Sequence, residues 1–369
     1  MSIWDQYPST YREREVEQIM QAVCSGECVA IIGLSGSGKS NLLGFVAHRV
    51  KPKSDCPRFF LVDCNRLIDQ SPAAFFRLLR NALDGTGEEK TPYSAADQLI
   101  SLGVVIEAKL KVHTGICLLV DRFDALMNWP DFRAIANSLR ALRDAHKYQL
   151  TYVIATRKGL DPGTELSELF FGHTYWLGPL EHKDALWSAS KDVQRFMTPG
   201  QRDWNQDNLE KLVEVTWGYP SLLRAACEAY ASGAAIQEEV LRKHPAIQRR
   251  VTEFWDDTPN EDALIKSGLQ GHPLLRQPQS SRSTLFFNTT QLTSKENLLL
   301  EYFQGHRDEV CEKDELIRAV WPEDYVFEQG VRDDSLAQLV RRLRIKIELD
   351  PSQPRYIQTV PGRGYIFKP

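Results

Sequence analysis

The sequence predicts two folds in tandem: an α/β domain on a parallel sheet with helices on both faces, extended by a helical segment, and a small C-terminal domain of helices and a hairpin. Three observations predict them. Short apolar runs at residues 28–32, 59–62, 116–120, 151–155 and 174–177 alternate with helical patterns at 13–23, 40–50, 73–83, 95–109 and 132–145, the order expected of a parallel sheet buried on both faces. From about Leu180 to Gly271 the strand signals stop, and residues 184–193, 208–215, 220–232 and 246–255 read as helices, an α-helical lid. A stretch rich in Pro, Gln and Ser, GHPLLRQPQSSR, then reads as a linker, after which mixed α/β patterning returns. The expected division is an α/β core at 1–180, a lid at 181–271, a linker at 272–284 and a C-terminal domain at 285–369.

Composition narrows the function classes. A chain of 369 residues has room for two or three domains, at about 150 residues each. With 42% hydrophobic and 25% charged residues it is neither disordered nor fibrous. The net charge of −4 places any nucleic-acid contact on a local basic stripe. Apolar runs such as residues 115–120 are too short to span a bilayer, and the opening Met-Ser-Ile-Trp-Asp-Gln has no basic and apolar signal segment, so a cytoplasmic protein without membrane contact is expected. The seven cysteines include no CxxC pair; no disulfide framework and no zinc site are expected, and the cysteines read as small buried hydrophobes.

Gly33-Leu34-Ser35-Gly36-Ser37-Gly38-Lys39-Ser40 matches GxxxxGK[ST], with an apolar strand before it and an apolar helix after it. Glycines let successive backbone N–H groups converge on a phosphate, and the helix N-terminus adds a favourable partial charge. Gly33, Gly36, Ser37, Gly38, Lys39, Ser40 and Asn41 are therefore the expected nucleotide contacts, with Lys39 on the β- and γ-phosphates and Ser40 on Mg²⁺. Asp121 ends an apolar strand, where a carboxylate holds Mg²⁺ through water. Asp124 follows three residues on, and the strand at 151–155 is placed to bring Thr156 or Arg157 beside a γ-phosphate. The expected cofactors are ATP or ADP with Mg²⁺.

These residues resemble the AAA+-like STAND class of signal-transduction ATPases, over about Tyr11 to Gly271. Tyr11-Arg12-Glu13-Arg14-Glu15 looks like that class's Arg-Glu motif, which implies that Arg12 and Glu13 lie near the adenine. Gly218-Tyr219-Pro220 is similar to its GxP lid motif, which implies that Pro220 lies near the nucleotide. Asp121 and Asp124 look like its Walker B variant, and Arg157 falls at the sensor-1 position. Many AAA+ ATPases place Glu directly after the Walker B Asp; here Arg122 stands there, a cation that accepts no proton. Slow hydrolysis is expected unless Asp124 or another carboxylate substitutes. The long repeat array of many STAND proteins is absent from the sequence.

Residues 334–349 read as a helix with Leu336, Leu339, Val340, Leu343 and Ile347 on one apolar face. Gln338, Arg341, Arg342 and Ile345 fall opposite, with Arg344 and Lys346 on the flanks, and four cations within six residues suit a major groove. Arginine takes guanine or phosphate, glutamine pairs with adenine, and Ile345 suits a thymine methyl. Two β runs around Pro361-Gly362-Arg363-Gly364 make a hairpin directly after this helix, a wing whose tip presents Arg363 to a minor groove. Upstream, Thr293 and Glu296 form a capping pattern, and residues 314–320 form the second helix.

The segments LTSKENLLLEYF, DELIRAVW, LVRRLRIKIE and YIQTVPGRGYIF closely resemble the OmpR/PhoB family of response-regulator effector domains, over about 80 residues. The resemblance implies a recognition helix carrying Arg341, Arg342 and Arg344, a wing carrying Arg363, and a loop at 325–331 that in family members contacts RNA polymerase. The family's N-terminal sheet looks truncated, with residues 285–288 as one candidate strand, and Pro361 stands where an Arg is common. The fold class expected is thus an α/β P-loop NTPase with an α-helical lid, plus a C-terminal winged helix-turn-helix. The expected function is a nucleotide-switched transcription regulator of double-stranded DNA that assembles into a homo-oligomer. Alternatives are a DNA-remodelling or loading ATPase of the origin-binding type, and a signalling or defence protein whose winged helix binds protein.

Overall fold

Four consecutive apolar residues, Val29–Ile32, form β1, and all four are buried. Such a strand shows no polar alternation because both of its faces are covered. In this computed structural model, which describes residues 3–51, 56–67, 69–85, 94–197, 205–276, 292–321, 333–348, 350–351 and 353–368, β1 belongs to a five-stranded parallel sheet. Its partners are β2 (Arg58–Asp63), β3 (Ile116–Asp121), β4 (Leu150–Thr156) and β5 (Thr174–Trp176), in the order β2-β3-β4-β1-β5. Alternate strand residues enter different cores, as the pleat requires. Val29, Ile31, Cys117, Leu119 and Val153 pack with α1 (Glu13–Cys24) and α2 (Lys39–His48). Ala30, Leu118, Val120 and Ile154 pack with α3 (Pro72–Asp84), α4 (Ala95–Leu110), α5 (Asp124–Met127) and α6 (Phe132–Ala145).

Register sets the functional edge. Asp63 is level with Asp121, and Ile32 with Thr156, so the strands deliver these residues together at their carboxyl ends. Open α/β sheets bind ligands outside those ends.

The lid comprises α7 (His182–Phe196), α8 (Gln206–Val215), α9 (Pro220–Ala231), α10 (Glu238–Lys243), α11 (Pro245–Asp256) and α12 (Glu261–Lys266). Pro220 and Pro245 sit in the first turns of α9 and α11, where a missing N–H costs nothing. Asn205 and Asn260 accept backbone N–H groups at the starts of α8 and α12. Ala185, Ala189, Ala226 and Ile247 are fully buried and share one apolar cluster with Tyr11 and Phe45 of the core. Core and lid are therefore joined by packing.

Residues 1–276 form one compact unit and residues 277–369 a second. The second holds α13 (Ser294–Gly305), β6 (Val310–Glu312), α14 (Lys313–Val320), α15 (Asp333–Ile347), β7 (Ile357–Val360) and β8 (Gly364–Phe367), the strands forming an antiparallel sheet in the order β6-β8-β7. Leu299, Phe303, Leu316, Leu339, Leu343, Ile357 and Phe367 build its core. The capping box of Thr293 and Glu296 starts α13. Gly364 is required because a Cβ there would collide with the Cys311 carbonyl on β6. The sequence reading missed β6, whose three residues show no periodicity of their own.

Two expectations are corrected. The linker does not begin at His272: His272, Leu274 and Leu275 are buried in the lid, and the Trp255 indole donates to the Leu275 carbonyl (2.9 Å). Cysteines do form a bridge: Cys24, at the end of α1, is disulfide-bonded to Cys56, just before β2. Sequence spacing carries no information on which turns meet in space. The other five, Cys28, Cys64, Cys117, Cys227 and Cys311, are free and buried. The expected strand at 285–288 and the loop at 325–331 lie outside the described residues. Among the described residues no helix is long and apolar enough to cross a membrane.

The bridge closes a loop between positions 32 apart in sequence, for which chain entropy gives about 3–4 kcal/mol of stabilisation. Thiol titration of the denatured, unreduced protein should find the five free cysteines, and reduction should lower the unfolding midpoint of the first unit. Seven reactive thiols would refute the bridge.

Candidate functional site

The loop after β1 is held at its start by the sheet: the Gly33 N–H donates to the Thr156 carbonyl (3.0 Å), and the Leu177 N–H to the Ile32 carbonyl (2.7 Å). Gly36 and Gly38 take positive φ values of 84° and 88°, conformations that Cβ-bearing residues avoid. Gly38 caps α2, so Lys39 and Ser40 open the helix with its N–H groups facing the loop. The Lys39 Nζ donates to the loop carbonyls of Gly33 (2.6 Å) and Leu34 (3.2 Å). Burial lowers its pKa to about 8, helped by the Arg157 charge and opposed by Asp124, Asp121 and Asp257. Ser40 and Asn41 are exposed at the start of α2.

The carbonyls of Ser35, Gly36 and Ser37 are gripped from other elements. Tyr219 Oη donates to the Ser35 carbonyl (2.6 Å), and the Ser221 N–H to the Gly36 carbonyl (3.2 Å). Arg12 Nη2 donates to the Ser37 carbonyl (2.9 Å) and to the Gly178 carbonyl (3.0 Å). Pro220 lies against Gly38. Arg12 is itself buried, with its N–H on Asp184 of α7 (2.7 Å) and Nη1 on Glu15 (2.8 Å). Arg12 thus props the loop through its backbone, while Glu13 pairs at the surface with Lys183 (2.9 Å).

Asp121 ends β3 and is buried. Burial raises its pKa, against the Ser40 hydroxyl hydrogen bond. The Arg122 N–H folds back onto Asp121 Oδ1 (2.9 Å), with Arg122 itself at positive φ. Arg157, following β4, lies between two carboxylates: Nη1 meets Asp257 of the lid at 2.7 Å, and Nε is 3.7 Å from Asp124. Asp124 Oδ1, Asp257 Oδ2 and Ser37 Oγ are buried without a partner among the described residues.

The residues present fit a nucleotide and Mg²⁺. A Cβ at Gly33 would collide with the Ser37 hydroxyl, which is buried without a partner among the described residues, and the Ser40 hydroxyl counts against the burial that raises the Asp121 pKa. Their hydroxyl and carboxylate oxygens are the hard donors that Mg²⁺ takes.

In the second unit, Leu336, Leu339, Val340, Leu343 and Ile347 of α15 are buried. Gln338 is half-buried, and Arg341, Arg342 and Ile345 are exposed on the opposite side. Arg341 and Arg342 have no ion-pair partner among the described residues. The two flanking cations, Arg344 and Lys346, are engaged within the domain. Arg344 Nε donates to the Ile357 carbonyl (3.0 Å), its Nη2 to Thr359 Oγ1 (2.9 Å), and its guanidinium lies over the Tyr365 ring. It is a long side chain at the edge of the outward face, and the hairpin captures it. Lys346 pairs with the buried Glu296 (2.5 Å). Arg363 is exposed in the β7–β8 turn, 3.9 Å from Glu312.

The sequence reading missed Asp257, Asp184, Ser221 and Glu348. Glu348, just past α15, accepts backbone N–H groups from Arg355 (2.8 Å), Tyr356 (2.9 Å) and Ile357 (2.8 Å), tying the helix end to the first strand of the hairpin. Tyr219 was in view as the middle of the GxP motif; the others carry no local signal.

Comparison with known proteins finds a family match in each unit. The family model described as novel STAND NTPase 1 matches residues 10–187, and the model for the C-terminal domain of transcriptional regulatory proteins matches residues 288–367. The chain joins a STAND-type P-loop NTPase module to an OmpR/PhoB-type winged-helix domain. A probable transcriptional regulatory protein of Picosynechococcus is 40% identical over 90 residues, 24% of this chain and 34% of that protein. The uncharacterized transcriptional regulatory protein YcbL of Bacillus subtilis is 44% identical over 127 residues, 34% of this chain and 53% of that protein. The chain thus spans about a third to a half of the length of these relatives. Among solved structures, the Walker-type ATPase PABY2304 of Pyrococcus abyssi is similar with a TM-score of 0.48 and 14% identity, over 99% of this chain and 97% of that one.

Two outcomes follow. Phosphate needs the Lys39 ammonium, which is protonated below about pH 8 and lost above it. Nucleotide affinity should hold at neutral pH and fall about tenfold per unit above that value, and Lys39→Ala should abolish binding and its pH dependence; a flat profile to pH 9.5 by calorimetry would contradict the assignment. Arg344→Ala should cost the hairpin about 1–3 kcal/mol, read as faster amide exchange in β7 and β8, whereas Arg342→Ala should leave exchange there unaltered. Identical exchange in both variants would remove the structural role of Arg344.

Proposed function

We propose that this chain is a nucleotide-switched transcriptional regulator that binds double-stranded DNA and hydrolyses ATP slowly. The observation that carries the switch is the lid's grip on the phosphate loop, through Tyr219 on Ser35 and Ser221 on Gly36. A phosphate that reshapes the loop acts directly on the lid, because the two share hydrogen bonds.

In this reading Lys39 turns from the Gly33 and Leu34 carbonyls to the β- and γ-phosphates, and the N–H groups of residues 36–40 close around them. Ser40 and Asp121 hold Mg²⁺, which when bound neutralises phosphate charge. Arg157 approaches the γ-phosphate from the end of β4. Slow hydrolysis follows from two features: Arg122 occupies the position after Asp121, and Asp124, the nearest substitute carboxylate, faces Arg157 (3.7 Å). Turnover falls below the typical enzyme value of about 10 s⁻¹.

On DNA, α15 enters the major groove with Arg341 and Arg342 on guanine or phosphate, Gln338 on adenine and Ile345 against a thymine methyl, while Arg363 enters a minor groove. Assembly of copies on repeated half-sites and contact with RNA polymerase complete the regulator. A nucleotide shifts DNA affinity only as far as it distinguishes two states of the protein.

Binding of the full chain to genomic fragments should differ between a non-hydrolysable ATP analogue and ADP, in affinity or in oligomer size, and Lys39→Ala should erase the difference. Arg342→Ala should reduce the salt slope by about 1 if it meets phosphate, or relax one base position if it meets a base. Equal behaviour under both nucleotides would end the switch; an unaffected Arg342→Ala would end the groove assignment.

A further inference from the structure

Arg157 leaves the sheet beside the phosphate loop. It follows Thr156, whose carbonyl accepts the Gly33 N–H (3.0 Å), and Gly33 in turn accepts the Lys39 ammonium (2.6 Å). The shortest contact of the Arg157 guanidinium is to the lid: Nη1 meets Asp257 Oδ1 at 2.7 Å, against 3.7 Å from Nε to Asp124. Asp257 caps the C-terminus of α11, a position fixed by its N–H on the Trp255 carbonyl. Its second oxygen, Oδ2, is buried and has no partner among the described residues. The carboxylate is thus held from one side only, by one cation.

The charges around Lys39 explain what this contact does. Arg157 adds a second cation, while Asp121, Asp124 and Asp257 supply three carboxylates in the same field. A diphosphate carries no terminal phosphate to compete with Asp257 for Arg157. A terminal phosphate adds two negative charges beside Arg157 and repels Asp257, whose unpartnered oxygen gives it nothing else to hold it there. An incoming phosphate and the lid carboxylate would draw on the same guanidinium, whose shortest contact is to Asp257 (2.7 Å).

We infer that Asp257 is a specificity-determining residue that competes with a terminal phosphate for Arg157, so that the lid stays latched over a nucleoside diphosphate and is released by a triphosphate. The inference rests on the proposed nucleotide switch and names its discriminating contact. Release passes along α11: the Trp255 indole holds the Leu275 carbonyl (2.9 Å), one residue before Arg276, where the first unit ends.

The test is calorimetric titration of the full chain with ADP and with a non-hydrolysable ATP analogue, in the wild type, Asp257→Asn and Arg157→Gln. Asp257→Asn keeps the shape and removes the competing charge. It should raise the ratio of ATP-analogue to ADP affinity by roughly tenfold, within the range of coupled sites. Arg157→Gln should bring the two affinities together. Amide exchange of residues 245–257 reports the latch: in the wild type it should be faster with the ATP analogue than with ADP, and in Asp257→Asn equally fast with both. An unchanged ratio in a variant that still binds both nucleotides would overturn the latch and leave the switch standing. A wild type that binds neither nucleotide would overturn both.

Discussion

A loop that points its N–H groups inward at a phosphate must point its carbonyls outward, and buried carbonyls need donors. This constraint organises the first unit. The carbonyls of Ser35, Gly36 and Ser37 are met by Tyr219, the Ser221 N–H and Arg12. Two of these donors belong to the lid, and the third precedes α1. An unmade bond of this kind costs about 1–3 kcal/mol, so the loop, the lid and the first helix depend on one another. The cluster joining Tyr11 and Phe45 to the lid helices gives the same linkage in apolar form.

The charges at the site obey a related rule. Lys39 is buried on backbone carbonyls, and Arg157 is shared between Asp124 and Asp257. Lys39 is buried, whereas the Arg157 side chain is 30% exposed. A buried cation such as Lys39 favours an anion over solvent. The site is therefore poised for phosphate, and its carboxylates decide how many phosphates it accepts.

Much of this was legible in the sequence because the determinants are local. The strands read as uninterrupted apolar runs, and the phosphate loop as a motif between a strand and a helix. The helical phase of α15 placed Gln338, Arg341, Arg342 and Ile345 outward, as they stand. The illegible parts all depend on partners distant in sequence. Arg344 has the right phase to flank the outward face, yet its reach brings it to Ile357 and Thr359. Asp257 lies 100 residues from Arg157, and nothing in its own segment distinguishes it from a helix-capping acid. Cys24 and Cys56 have no spacing signature, and β6 is too short to show alternation.

Glu348 bears on the proposed grip of a duplex. By accepting the amides of Arg355, Tyr356 and Ile357, it ties the end of α15 to the start of the hairpin, so that helix and wing would act as one calliper. Its two tips, the arginine pair and Arg363, are set at one separation before any DNA arrives. Little ordering entropy is then spent on contact, and the adjustment falls to the double helix. Sites whose groove width already suits the calliper are favoured through their shape, at base pairs the protein never touches.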